Sequence, residues 1–164
     1  TVTVEIPRDG FEQALDDVAE AAHEYAQVGG PDIQAKFRTG ATEVWAWPDE
    51  AELARFIHGC VRRRLPFKLT GGLHHVLRAD RVDGPQHGLL NVLTAVDAAA
   101  AGALPDQIAA CLAERSPGPL TDVLLGMTSE EVAEVRAVFR AYGCCTVTDP
   151  IGELVELGLL KEEH

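Results

Sequence analysis

The sequence predicts an α/β fold of four βα units around a parallel sheet, with a helical insertion after the third strand. Three observations predict it. Short segments that alternate apolar and polar residues recur along the 164 residues. Amphipathic helical stretches separate them, and crossovers of that length join parallel strands. Hydrophobic residues make up 46% of the chain and charged residues 24%, which suffices for one core in a single α/β domain, residues 1–164. Four such units are half of an eight-stranded (βα)8 barrel, so the chain is either a small open α/β sheet or, as expected here, a shape resembling half a barrel.

Each element follows from its residues. Thr1 to Pro7 alternates as a strand does. The chain opens inside this strand and without Met, which reads as a fragment of something longer. Phe11, Ala14, Leu15, Val18, Ala22 and Tyr25 then form one helical stripe over Gly10 to Ala26, stopped by Gly29-Gly30-Pro31. Ile33 to Thr39 is a second strand, closed by Gly40. Pro48-Asp49-Glu50 opens a helix whose apolar face runs from Ala51 to Val61. Leu65 to Thr70 is a third strand, closed by Gly71-Gly72. A polar loop spans Leu73 to His87, and Gly88 to Ala101 is apolar enough to be a buried helix. A shorter helix follows over Pro105 to Glu114, then a loop at Ser116 to Pro119. Thr128-Ser-Glu-Glu131 has the N-cap and acidic first turn of a helix, which runs to Tyr142 and stops at Gly143. Cys144 to Thr148 is the fourth strand, and Asp149-Pro150 caps a last helix over Ile151 to Leu157.

Charge and cysteine usage narrow the function. With 26 acidic residues against 14 Lys and Arg, the net charge is −12, which repels nucleic acid and anionic membranes. Arg62-Arg63-Arg64 is the one basic run and suits the C-terminus of a helix. Cys60, Cys111, Cys144 and Cys145 show no Cys-x-x-Cys spacing, which points to reduced thiols and a cytoplasmic location.

The candidate site lies at the carboxyl ends of the strands, where parallel α/β folds bind ligands. There are three lysines against eleven arginines, and two of the three, Lys36 and Lys68, fall inside strands. Lysine can lose its proton or form a Schiff base, which arginine cannot. Lys36 shares a face with Arg38, and Lys68 with Thr70. Both strands end in Thr-Gly, at Thr39-Gly40 and at Thr70-Gly71, a short internal echo. Gly71, Gly72, His74, His75, His87 and Asn91 follow. This set predicts a small anion, a carboxylate or a phosphate, held by Lys36, Arg38, Thr39, Thr70, Gly71, Gly72, His87 and Asn91. Lys68, with His74 and His75, would be the catalytic group of a lyase, aldolase or isomerase. The alternative is a non-catalytic anion-binding or assembly module. No cofactor is expected. Glu5, His74 and His87 have the ligand types for a metal but no fixed spacing. Trp45 and Trp47 read as packing, or as the rim of a pocket.

Lys-Phe-Arg-Thr-Gly (36–40), Pro-Phe-Lys-Leu-Thr-Gly-Gly-Leu-His-His (66–75), His-Gly-Leu-Leu-Asn (87–91) and Tyr-Gly-Cys-Cys-Thr-Val-Thr-Asp-Pro-Ile (142–151) resemble the C-terminal half of an uncharacterised, barrel-like bacterial protein family. The resemblance implies a preceding half not present here, and no reaction. Ala41 and Thr146 stand where that family has Gly and Ser.

Half a barrel leaves two strand edges unpaired, which favours a two-fold partner. A homodimer is the expected state, with the missing N-terminal half as the other way to cover the edges. Light scattering at micromolar concentration tests this. A mass twice 17.6 kDa is expected, and a mass near 17.6 kDa would show that the edges need no second copy.

Overall fold

A computed structural model of the protein describes residues 1–82, 84–146 and 148–161. Its main sheet contains β1 (Val2–Glu5), β2 (Ile33–Arg38), β3 (Phe67–Thr70) and β6 (Phe139–Gly143), side by side in that order and all parallel. Helix α1 (Phe11–Gln27) connects β1 to β2, and α2 (Glu50–Arg62) connects β2 to β3. A small antiparallel hairpin of β4 (Ala79–Arg81) and β5 (Gly84–Gln86) follows. Then come α3 (Leu89–Ala100), α4 (Pro105–Ala113), α5 (Pro117–Gly126) and α6 (Ser129–Val138), and α7 (Thr148–Glu156) follows β6. No helix among the described residues is long and apolar enough to cross a membrane.

The strand pattern decides which face the helices cover. Ala35, Phe37, Phe67, Leu69 and Phe139 are buried in the core. The alternate residues of β2 and β3, Gln34, Lys36, Arg38, Lys68 and Thr70, stay partly exposed on the other face. Helices therefore pack on one side only, and sequential parallel strands covered on one side are the arrangement of half a barrel. An aromatic chain crosses the covered face. Phe37 stacks on Phe56 of α2 at 4.7 Å between ring centres, Phe56 meets Phe67 edge-on at 5.3 Å, and Phe67 stacks on Phe139 at 5.4 Å. Each such pair adds about 0.5–1.5 kcal/mol to the area that it buries.

Two helix starts are fixed locally. Asp49 accepts the Glu52 amide at 2.7 Å while the Glu52 carboxylate takes the Asp49 amide at 3.0 Å, closing a capping box on α2. Thr128 and Glu131 do the same for α6.

Three sequence expectations are corrected. The fourth strand is Phe139–Gly143, and α6 ends at Val138, not Tyr142. Phe139 and Tyr142 have helical spacing, but stacking on Phe67 and pairing with β3 outweigh that local pattern. Residues 144–146 lie beyond the strand, and Val147 falls outside the described residues. The supposed loop at Ser116 to Pro119 is the start of α5, because Pro117 occupies the first turn, where no amide is needed. The polar loop from Leu73 to His87 contains the β4–β5 hairpin.

The insertion is tied down by Asn91 of α3, which is fully buried. Its side-chain oxygen accepts the Arg78 amide at 2.8 Å, and its nitrogen donates to the carbonyls of Cys111 at 2.9 Å and Glu114 at 2.7 Å. Asn91→Ala leaves all three groups without a partner, so urea unfolding should show a loss of about 2–4 kcal/mol.

Candidate anion site on the open sheet face

Register places the candidate residues in two rows across the uncovered face. Glu5, Lys36, Lys68 and Ala141 are paired neighbours in one row. Arg38, Thr70 and Gly143 form the next, nearer the carboxyl ends. Three cations thus stand on one face with one carboxylate, in a chain of net charge −12.

The cations differ in what they touch. Lys36 Nζ lies 2.8 Å from Glu5 Oε2, so its charge is largely met. Among the described residues, the side chains of Lys68 and Arg38 have no hydrogen bond or ion pair, and the Arg38 Nε is buried without a partner. A buried guanidinium nitrogen without a partner is costly.

The turns at the ends of β2 and β3 set the Arg38 position. A Cβ on Gly40 would fall 1.6 Å from the Gly71 carbonyl oxygen, so only glycine lets these turns meet. Gly71 has φ +74°, and a Cβ there would press on the Arg38 guanidinium at 2.9 Å. The guanidinium therefore lies across the bare Gly71 backbone. The two Thr-Gly sequences seen as an echo are thus packed on each other. Thr39 is 1% exposed, and its amide and hydroxyl both donate to the Thr70 carbonyl, at 2.9 and 3.3 Å. Its hydroxyl is spent on the turn. Gly72 is held against Thr39 Oγ1.

The histidines are dispersed. His74 is half-buried on the segment after Gly72. His75 Nδ1 is 2.5 Å from Glu153 of α7, whose other oxygen accepts the Val76 amide at 2.7 Å. Glu153 was invisible to sequence reasoning, being 78 residues from His75 with no shared motif. His87 is 2% exposed and donates from Nε2 to the Pro48 carbonyl at 2.9 Å. His87 and Asn91 are braces of the insertion and do not join the two rows. Among the described residues no three His, Cys, Asp or Glu gather as a metal set. Trp45 lies under Arg8, whose guanidinium carbon is 5.7 Å from the ring centre, and Trp47 packs on Gly84.

Burial holds the His87 imidazole below its usual range, against smaller opposing effects of the Pro48 hydrogen bond and Glu50. Its Nδ1 is buried without a partner among the described residues. The unfolded chain thus takes up this proton at higher pH than the folded one. Stability conferred by the neutral ring is complete above about pH 6.5 and is lost as pH falls below it, by up to about 1.4 kcal/mol per unit. Urea midpoints between pH 7.5 and 5.5 should fall for the native protein and fall less for His87→Gln.

No protein-family model, curated protein or solved structure matches this chain.

Proposed function

We propose that the open sheet face binds a small carboxylate or phosphate and that Lys68 acts on it, as in an enzyme of the lyase, aldolase or isomerase type. The carrying observation is the placement of two cations without side-chain partners among the described residues, Lys68 and Arg38, in adjacent rows of neighbouring strands. Arg38 offers a planar fork for a carboxylate or phosphate, and Thr70 beside it offers a hydroxyl. Lys36 shapes the field but is engaged by Glu5, so it is the lesser anion holder. Lys68 Nζ is then the group left to reach a carbonyl carbon next to the anion. Its amine would add there, water would leave, and a protonated imine would remain as an electron sink for cleavage or proton transfer. His74, half-buried just past β3, is the histidine open to a proton-transfer role, since His75 is engaged by Glu153.

The four free cysteines, with Cys60 buried, support a reducing compartment. The outer edges of β1 and β6, without a neighbouring strand among the described residues, support pairing with a second copy.

Borohydride reduction in the presence of small 2-oxo acids and aldehyde phosphates, read by intact mass, tests the reaction. A single adduct is expected, absent from Lys68→Ala and reduced about tenfold in Arg38→Gln. Anion binding by calorimetry without any adduct would leave a binding module instead. An adduct that persists in Lys68→Ala would remove Lys68 from the chemistry.

A further inference from the structure

A cavity lies at the amino end of the sheet, bordered by Ala141, the strand neighbour of Lys68. It is a cleft of about 630 Å³ at the amino ends of the strands, between the second half of α1 and the starts of β2, β3 and β6. That volume suits a small organic molecule. Its walls are of two kinds. Ala19, Ala22 and Ala26 of α1 face Leu65 and Pro66 and make an apolar floor, the alanines being too short to fill it. Three arginines, Arg63, Arg64 and Arg140, stand around it, and among the described residues Asp32 is the one carboxylate lining it. This is unexpected in a chain with 26 acidic residues and 14 Lys and Arg.

The arginines are not equivalent. Arg63 is spent on Asp16 and Glu12, at 2.7 and 2.9 Å. Arg140 uses Nε on the Ala137 carbonyl, which leaves the end of its fork. Arg64 has no side-chain hydrogen bond or ion pair among the described residues, and its backbone is in the left-handed region with φ 52°. The reason is the end of α2. The Leu65 amide donates to the Cys60 carbonyl at 3.0 Å and the Arg64 amide to Val61 at 3.0 Å, the two bonds of a Schellman turn. Arg64 sits at the position of that turn where glycine is free of strain. An arginine there costs stability and, among the described residues, returns no side-chain hydrogen bond or ion pair.

We propose that this cleft is a binding site for an anion with an apolar body, a monocarboxylate of about six carbons or more. The carboxylate is held by Arg64 and the free end of Arg140, and the chain lies on the alanine floor of α1. Gln34 and Ala141 of the open sheet face border this cleft, but Lys36, Arg38 and Lys68 are not among the residues that line it.

Calorimetry with hexanoate, 1-hexanol and acetate tests it. Hexanoate should bind, with the alcohol and acetate each at least about tenfold weaker, since each lacks one half of the recognition. Arg64→Gln should weaken hexanoate by about tenfold. Arg64→Gly should weaken it equally while raising the melting temperature by about 2–4 °C, because it removes both the charge and the strain. Ala22→Phe should fill the floor and abolish binding, and Lys68→Ala should leave it unchanged. The proposal is overturned if hexanoate does not bind at about 5 mM. It is equally overturned if hexanol binds as well, if both Arg64 variants bind as the native protein does, or if Lys68→Ala alone removes binding.

Discussion

A slip of β3 by one residue against β2 would turn Phe67 and Leu69 to the open side and press Lys68 and Thr70 into the core. The parallel register of these two strands, with Phe37 opposite Leu69 and Lys36 opposite Lys68, excludes that arrangement. On the covered side it lines up the rings of Phe37, Phe56, Phe67 and Phe139. On the open side it lines up the cations. Burying an unpaired lysine would cost far more than exposing a leucine, so the aromatic chain and the lysine row enforce one another.

The same register brings the two Thr-Gly turns together. The contact of Gly40 with the Gly71 carbonyl leaves no room for a side chain, and Thr39 closes it with two donations to Thr70. The turns are rigid because they are bonded to each other. Arg38 rests on that platform with its Nε unsatisfied among the described residues, so the stability of the turns and the proposed anion site draw on the same few atoms.

The helical insertion adds its apolar faces to the core and is fixed in place by polar groups. Asn91 gathers the start of the hairpin and the end of α4, and buried Arg78 reaches Glu50 of α2 at 2.6 Å. Glu153 fastens His75 and Val76 to α7. His87 and Asn91 look like ligand-binding residues in the sequence because they are polar residues close to a helix start. In the fold they answer the needs of buried backbone groups instead.

Periodicity alone determined the α/β class, the first three strands, α1 to α4 and the sharing of a face by Lys36 and Arg38 and by Lys68 and Thr70. These depend on short-range alternation and helical spacing, which any window of the chain displays. The fourth strand was misplaced by five residues at its start, from Phe139 to Cys144, because Phe139 becomes a strand residue only when Phe67 is beside it. The pairing of Lys36 with Glu5, the tether from His75 to Glu153 and the cleft beneath α1 join residues that are far apart in the chain. No local pattern encodes such contacts. They exist only once the packing of the helices on one face of the sheet has fixed which side chains meet.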